Sequence, residues 1–334
     1  MLRPFGRPRT PFEKLWYHVA AVAYRRGMTG PATRIALALA VAIFGCARSV
    51  RPVETFDASA PRPQLVSSSA SSSAPSSSAP SSSTDLPSVH PSAESAVAIL
   101  GTRLLVARGR IHDRDAGRLE RELTDAYAKM RADEDNPASL VRIREEPLPL
   151  AAPGELIVYE PTESTDQPRT SAVVFLHGYG GRFALPCWQI ARAVARHHFT
   201  TACPTIGPEG DFWTQEGEAR VRATVAILRR AGYERFVLAG LSNGAVGATR
   251  LPPDLLATFA GFVLVSGADP TRVPPHVPIL VVQGRSDTMV SPDGPRAYAK
   301  RARATYLEVD AGHFAMLFRA PEVERAIGEL VGKL

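Results

Sequence analysis

The chain has few cysteines and lacks the motifs of nucleotide-binding and zinc-dependent enzymes. Its three cysteines are too few for a disulfide scaffold, and they lack the paired spacing of a zinc site. No dinucleotide loop of the type G-x-G-x-x-G, no P-loop lysine motif and no H-E-x-x-H motif occurs in the sequence. We therefore expect a protein that works without a metal ion or an organic cofactor.

Excess charge of one sign is confined to the N-terminus. The formal net charge of +6 would by itself favour a nucleic-acid or membrane-surface partner. Residues 1–34, however, carry seven of the 39 Lys and Arg residues and one of the 33 Asp and Glu residues, which leaves 32 of each sign over residues 35–334. The globular part is therefore neutral, and no nucleic-acid partner is expected.

An apolar run near the N-terminus is too short to span a bilayer but fits a signal peptide. Residues 35–44 (IALALAVAIF) are ten consecutive apolar residues after Arg34, whereas a membrane-spanning helix needs about 20. The run leads into Gly45-Cys46, and residues 43–46 resemble the lipobox of bacterial lipoproteins, in which the cysteine is lipidated. We therefore expect an exported protein that Cys46 anchors to a membrane of the bacterial cell envelope.

The segments around Cys46 follow from this interpretation. A start at Met28 gives a compact signal peptide over residues 28–46, and residues 1–27 are then expected to be a non-native or extended N-terminus. The alternative is that the apolar run belongs to a signal anchor or to an ordinary secretory peptide. Residues 47–93 are rich in serine, proline and alanine and poor in large apolar side chains. Such a segment cannot bury enough surface to offset its ordering entropy. It is predicted to be a disordered tether.

Residues 94–334 have the size of one α/β domain. Short, fully apolar strands alternate there with helical segments, which is typical of a parallel sheet covered by helices on both faces. The fold class is therefore α/β with a doubly wound, mostly parallel sheet. Strands are predicted at residues 140–143, 156–159, 172–176, 200–204, 236–239, 262–265, 279–282 and 306–309, and helices at 116–131, 185–195 and 217–230.

A candidate nucleophile lies in the sequence Gly240-Leu241-Ser242-Asn243-Gly244. This G-x-S-x-G pattern follows the apolar strand at residues 236–239 and precedes a helix-compatible run. The pattern needs its glycines because the serine sits on a sharp strand-to-helix turn, where side chains at the flanking positions would collide with neighbouring backbone. The turn also places the hydroxyl at a helix N-terminus, which favours a developing anion. The strand–turn–helix context predicts that Ser242 is the nucleophile.

A glycine-rich loop, His177-Gly178-Tyr179-Gly180-Gly181, follows the strand at residues 172–176. With this loop and the serine turn, the chain resembles the α/β-hydrolase superfamily from about residue 140 to the C-terminus. The resemblance implies an oxyanion hole formed by the backbone N–H groups of Tyr179 and Asn243. It also implies that His177 orders the loop and is not the catalytic base.

The resemblance further implies that an acid and then a histidine follow the serine along the chain. The turn Gly284–Val290 resembles the family's G-x-x-D-x-x-V turn and offers Asp287, and Ala311-Gly312-His313-Phe314 follows the last strand. His313 would take the serine proton, and Asp287 would fix its tautomer. Asp269, after the preceding strand, is the rival acid because some family members place it there. Asp310 is expected to be an ordinary loop carboxylate.

Substrate class is less constrained than mechanism. The connection Ser266–Pro278 is short and contains four prolines, so it leaves no room for a cap and predicts an open, shallow pocket. This arrangement resembles compact carboxylesterases, acyl-thioesterases and dienelactone hydrolases. We expect a small-molecule ester as substrate. A thioesterase, a peptidase of the same fold and a non-catalytic surface lipoprotein that acts as a binding module stay open.

Cys187 and Cys203 are candidates for a disulfide. Cys187 lies near the start of a predicted helix and Cys203 near the end of the next strand, and both positions belong to the carboxyl edge of a parallel sheet. Outside the cytosol such a pair tends to oxidise. Two separately buried cysteines that pack as small apolar side chains are the alternative.

Overall fold

The structure, a computed structural model, describes residues 93–135, 140–142, 156–162, 169–180, 183–207 and 209–334. The predicted N-terminal extension, the signal peptide with Cys46 and the tether up to residue 92 lie outside these residues. None of the helices in the described ranges is long and apolar enough to cross a membrane.

Eight strands and nine helices make up the described part of the chain. The strands are β1 (Leu140–Arg142), β2 (Leu156–Pro161), β3 (Ser171–Leu176), β4 (Thr200–Pro204), β5 (Arg235–Leu241), β6 (Gly261–Val265), β7 (Ile279–Gly284) and β8 (Thr305–Val309). The helices are α1 (Ala93–Ala107), α2 (Asp113–Asp135), α3 (Ala184–Ala195), α4 (Gln215–Arg230), α5 (Asn243–Arg250), α6 (Pro253–Leu256), α7 (Asp293–Ala302), α8 (Ala315–Phe318) and α9 (Ala320–Val331). Each predicted strand and helix is present, with ends that differ by a few residues.

All eight strands form one sheet in the order β1-β2-β4-β3-β5-β6-β7-β8. The six strands from β4 to β8 in this order are mutually parallel, whereas β2 pairs with both β1 and β4 in antiparallel register. The predicted doubly wound, mostly parallel sheet is therefore confirmed. In such a sheet all parallel strands end at one edge, which we call the carboxyl edge, and begin at the opposite amino edge.

Helices bury both faces of the sheet, and this explains why the central strands are apolar without alternation. On β3, Val173 and Phe175 pack in one core with helices α2, α3 and α9, while Val174 and Leu176 pack in a second core with α4, α5 and α7. Successive strand side chains point to opposite faces. A strand covered on both faces must therefore be apolar at every position.

Helices α1 and α2 form a hairpin that precedes the sheet. On α2, Leu119, Tyr127 and Met130 are buried, and Leu123 is partly buried against the core. Glu94 at the start of α1 accepts hydrogen bonds from the Tyr127 hydroxyl at 2.9 Å and from the Leu185 backbone N–H at 3.2 Å. Helix α3 has no side-chain cap from its own N-cap residue. Glu94 therefore satisfies an N–H group that α3 would otherwise leave unpaired.

The β6–β7 connection, residues 266–278, contains no helix or strand. The structure thus has no cap in this connection, as its length and proline content predict. The carboxyl edge of the central strands is not covered by an insertion at this position.

Candidate active site

Ser242 occupies the turn between β5 and α5 at the carboxyl edge. Its backbone has φ 54° and ψ −117°, a conformation that L-residues other than glycine rarely adopt and that costs roughly 1–3 kcal/mol. The Ser242 N–H donates to the Val265 carbonyl at 2.8 Å, which attaches the turn to β6. The surrounding sheet therefore holds the serine in a strained position that lifts its hydroxyl above the strand ends.

The glycines on either side of Ser242 are required by close backbone packing. A Cβ on Gly240 would lie 2.6 Å from the Gly244 carbonyl oxygen and 2.7 Å from the Ala245 backbone nitrogen. A Cβ on Gly244 would overlap the carbonyl oxygens of Leu176 and His177 at the end of β3. The G-x-S-x-G spacing therefore reflects the tight contact of α5 with β5 and β3, as the sequence indicates.

Ser242, His313 and Asp287 form a continuous hydrogen-bonded chain. His313 Nε2 lies 2.9 Å from Ser242 Oγ, and His313 Nδ1 lies 2.8 Å from Asp287 Oδ2. Three loops supply these groups, after β5, β7 and β8, and only the fold brings them together. With Nδ1 donating to Asp287, Nε2 is left as the acceptor for the serine proton.

Asp287 is held as a carboxylate. Its side chain is fully buried, and Oδ1 accepts backbone hydrogen bonds from Met289 at 2.8 Å and Val290 at 2.9 Å. Burial raises the pKa of the Asp287 carboxyl, but the hydrogen bond and charge of His313 and the two backbone donors outweigh it, so the pKa lies below its ordinary value. A charged acceptor is what is needed to orient an imidazole.

The structure separates Asp269, the rival acid, from His313, and it gives Asp310 a different partner. Asp269 accepts from Arg250 Nε at 2.6 Å and from the Thr271 hydroxyl at 2.7 Å. Burial raises its pKa, but the bonds from Thr271 and Arg250 lower it to about 2. Asp310 is exposed and lies 3.7 Å from Arg285. Of these carboxylates, Asp287 is the one that contacts His313.

The glycine-rich loop after β3 lies against the serine turn. A Cβ on Gly178 would be 3.1 Å from Ser242 Cβ, so Gly178 and Ser242 are in close contact. Tyr179 is the residue after Gly178, and Asn243, the first residue of α5, is the residue after Ser242. The side chain of Tyr179 is 56% exposed. The two segments predicted to supply the oxyanion hole are therefore neighbours at Ser242, and the assignment of their N–H groups stays a prediction.

His177 links the glycine-rich loop to the segment that follows β4. The Ile206 N–H donates to His177 Nε2 at 3.3 Å, which leaves Nδ1 to donate to the Gly178 carbonyl at 2.9 Å. The ring also packs edge-on against Phe212, with centroids 5.1 Å apart. These contacts are those expected of a residue that orders the loop.

The strand order with β2 reversed, the serine turn after β5, the acid after β7 and the histidine after β8 together define a known architecture. The chain has the α/β-hydrolase fold.

No protein-family model matches the chain, and no curated protein sequence matches it. Solved structures of similar fold exist. A serine hydrolase without a lid from Xanthomonas campestris is 20% identical, with 59% of this chain and 95% of that chain covered and a TM-score of 0.44. An esterase from Pyrococcus furiosus is 16% identical, with 53% and 87% covered and a TM-score of 0.42. Est1E from Butyrivibrio proteoclasticus is 12% identical, with 59% and 98% covered and a TM-score of 0.44.

Two buried polar residues of this α/β-hydrolase fold support the site and were not predicted. Gln283 Nε2 donates to Asp287 Oδ2 at 2.8 Å. Ser266, at φ 53°, donates from Oγ to the His313 carbonyl at 2.9 Å. The available sequence signal was a polar residue at the end of an apolar strand, since Gln283 follows ILVV and Ser266 follows FVLV.

The α1–α2 hairpin borders the site, which the sequence did not indicate. The Thr288 hydroxyl, next to Asp287, donates to the Arg110 carbonyl at 3.1 Å. On α2, the Arg118 guanidinium lies 4.5 Å from the ring centroid of Phe318, at the end of the helix that follows His313. The hairpin therefore contacts the loops that carry the acid and the histidine.

Cys187 and Cys203 form a disulfide in the structure, with their Cα atoms 6.2 Å apart. Both side chains are buried. The bond joins the first turn of α3 to the end of β4. The alternative of two separate thiols does not describe this structure.

Proposed function

We propose that this chain is a serine hydrolase that cleaves carboxylic esters through an acyl-enzyme intermediate. The observation that carries the proposal is the hydrogen-bonded chain from Ser242 Oγ through His313 to Asp287, with 2.9 Å and 2.8 Å between its members. Ser242 lies at the carboxyl edge on a strained strand-to-helix turn, the position that this fold uses for its nucleophile.

Acylation begins when Ser242 Oγ attacks the ester carbonyl carbon and His313 Nε2 takes the serine proton. The carbonyl oxygen becomes an oxyanion, which the N–H groups at the start of α5 and in the glycine-rich loop stabilise. When the tetrahedral intermediate collapses, the C–O bond to the alcohol breaks. His313 then gives its proton to the leaving alkoxide, so that an alcohol departs and Ser242 carries the acyl group.

Deacylation repeats these steps with water as the nucleophile. His313 Nε2 takes a proton from the water, whose oxygen attacks the acyl carbon. The ester bond to Ser242 breaks, and the proton returns to Ser242 Oγ as the carboxylic acid leaves. Throughout the cycle Asp287 keeps the Nδ1 proton of His313 in place and stabilises the imidazolium that forms twice.

Two features favour a small-molecule ester over a peptide or a purely bound ligand. The β6–β7 connection contains no cap, which supports an open site for short or polar esters. A binding module has no need for the serine, the histidine, the acid and the glycines together. Thioester cleavage uses the same chemistry and is the second candidate.

The direct test combines labelling with turnover. A fluorophosphonate probe should label the wild-type protein and leave Ser242→Ala unlabelled. A panel of chromogenic oxygen esters, thioesters and anilides of different acyl length then distinguishes esterase, thioesterase and amidase activity. Lack of labelling and of turnover on the whole panel would favour the binding module.

We also propose that the protein is an exported lipoprotein anchored at Cys46. The lipobox-like residues 43–46 and the apolar run before them support this, and the buried Cys187–Cys203 disulfide fits an oxidising compartment. Expressed with its own leader, the wild type should sediment with membranes and Cys46→Ser should be soluble. A soluble wild type would contradict the anchor.

A further inference from the structure

The amino edge of the domain, opposite the active site, carries a concentration of positive charge. Parallel strands begin there and the helices that cover them end there, so the topology brings their termini together. Contacts between Gly261 and Leu334 and between Gly332 and His197 show that the start of β6 and the ends of α9 and α3 meet at this edge. Its exposed basic residues are Arg196, Arg229, Arg230, Arg235, Arg272, Lys300, Arg301, Arg303 and Lys333. We call this set the basic edge.

Acidic residues also lie at this edge. Among the described residues, Glu234, Glu329 and Asp135 at the end of α2 are exposed there and offset part of the positive charge. Asp254 is engaged by Arg222 at 2.6 Å, and Glu160 is engaged by Arg169 at 3.2 Å. The domain is neutral as a whole, because residues 35–334 carry 32 charges of each sign. The nine exposed cations of the basic edge therefore outnumber these three exposed carboxylates.

Helix dipoles explain only part of this distribution. Arg229 and Arg230 lie in the last turn of α4, and Lys300 and Arg301 in the last turn of α7, where cations offset the negative helix end. Arg235 begins a strand and Arg272 lies in the β6–β7 connection, so neither has that explanation. A helix end carries about half an elementary charge, which does not neutralise two cationic side chains.

The basic edge also contains a groove. A cavity of about 550 Å³ lies between residues 271–276 and 301–303, and Arg272, Arg301, Arg303 and His276 line it. Arg301 Nη2 donates to the Arg272 carbonyl at 2.7 Å, which holds the two walls together. Arg272 Nε lies 3.9 Å from Asp269 Oδ2. Val273, beside the groove, exposes 83% of its surface.

We propose that the basic edge binds the surface of an anionic phospholipid membrane, with lipid phosphates in the groove and Val273 at the headgroup level. Positive side chains complement anionic headgroups, and an exposed apolar tip between them suits an interface. The tether and the lipidation site predicted at Cys46 would hold the domain beside such a surface. Bound this way, the protein turns its carboxyl edge and Ser242 away from the lipid, toward substrates in the aqueous phase.

The test measures binding of three proteins to vesicles, each a full chain with Cys46→Ser so that lipidation contributes nothing. The first has no other change. The second carries Arg235→Glu, Arg272→Glu and Arg303→Glu at the basic edge, and the last two of these residues line the groove. The third carries Arg108→Glu, Arg110→Glu and Arg121→Glu on the α1–α2 hairpin, the same change in net charge. Residues 1–34 are common to all three, so differences between the proteins report on the folded domain.

We expect co-sedimentation with vesicles that contain phosphatidylglycerol, weaker binding at high salt, and little binding to phosphatidylcholine alone. Each cation near an anionic surface contributes about fivefold to binding. The basic-edge variant should therefore lose at least about a hundredfold in affinity from the three lost cations alone, and the hairpin variant much less. An equal loss in both variants, equal binding to neutral vesicles, or tighter binding to duplex DNA than to anionic vesicles would overturn the proposal.

The proposal does not depend on ester hydrolysis. Thermal melting shows that each variant is folded, and turnover of a soluble ester is measured separately. A protein without esterase activity that still binds anionic vesicles through the basic edge would contradict the proposed function and leave this inference standing.

Discussion

Gln283 donates from Nε2 to Asp287 Oδ2 at 2.8 Å, and His313 Nδ1 lies 2.8 Å from that same oxygen. Gln283 is completely buried, and its amide oxygen has no hydrogen-bond partner among the described residues. Turning the amide over would bring that oxygen against the carboxylate, so Asp287 fixes its orientation. A buried unpaired acceptor is costly. We attribute the presence of Gln283 at this position to its Nε2 group, which donates to Asp287 and helps to hold that carboxylate against His313.

Gln283→Leu tests this role by removing the donor and the unpaired oxygen together. We expect kcat/KM to fall about tenfold, because a hydrogen bond to a charged group is lost, while Tm stays unchanged or rises. With one donor fewer, the Asp287 carboxylate becomes more basic.

Gln283→Glu is the matched control, because it keeps the shape and places a second carboxyl group against Asp287. It should lose more activity than Gln283→Leu. If Gln283→Leu lowers Tm and leaves kcat/KM unchanged, Gln283 is a packing residue only.

Substitutions in the catalytic chain should lower ester turnover by different amounts. Ser242→Ala and His313→Ala are expected to reduce kcat by several orders of magnitude, and Asp287→Asn by on the order of 10⁴-fold, because the histidine loses its orienting acceptor. Asp269→Asn is the control, since Asp269 contacts Arg250 instead of His313. Kinetics on one chromogenic ester suffices; full activity in Ser242→Ala would exclude the mechanism.

Asp269 should make stability depend on pH in the acid range. Its pKa of about 2 in the folded protein lies below the ordinary value of 3.8, so its carboxylate stabilises the fold above about pH 4. This contribution is lost as the pH falls through the folded-state pKa. Melting curves between pH 5 and pH 2 should show a wild-type advantage over Asp269→Asn that shrinks with acidification. A constant difference would show that the carboxylate charge is not responsible.

The disulfide should stabilise the domain measurably. The bond closes a loop with a sequence separation of 16, which by chain entropy corresponds to about 3 kcal/mol. Reduction, or the double change Cys187→Ala and Cys203→Ala, should lower Tm by about 6–12 °C in a domain of this size. Thiol titration of the unfolded, unreduced protein is the control. Two reactive thiols from these positions would show that the bond is absent in solution.

Substrate preference should follow from the uncapped β6–β7 connection. Short or polar esters should be turned over faster than long-chain esters, and no rise in rate should occur when a long-chain ester passes its solubility limit. The measurement is initial rate against concentration across that limit. A sharp increase there would indicate a mobile cover over the site.

Much of the fold could be predicted because the decisive signals are local. A strand buried on both faces is apolar at each position, so β3 and β5 to β7 are visible as short apolar runs whatever their neighbours are. The strained turn at Ser242 needs glycine at positions 240 and 244 for steric reasons, and this requirement shows as a motif. The resemblance to α/β-hydrolases implies the order serine, acid, histidine along the chain, and this order predicted His313 after the last strand.

Other features depend on packing between segments far apart in sequence, and only the tertiary structure decided them. Asp287 and Asp269 both follow apolar strands, and the distance to the histidine ring, not the composition, distinguishes them. Likewise, Cys187 and Cys203 were plausible partners, but a disulfide depends on a distance between their Cα atoms that a sequence does not contain. Gln283, Ser266 and the α1–α2 hairpin act through a few contacts across the fold, and such contacts leave no periodic or local pattern. The sequence by itself thus determined the apolar strands and the serine turn, because burial and steric crowding act on each residue where it stands. The acid, the disulfide and the support of the site were decided by tertiary structure, because they are distances between loops that meet only once the sheet has formed.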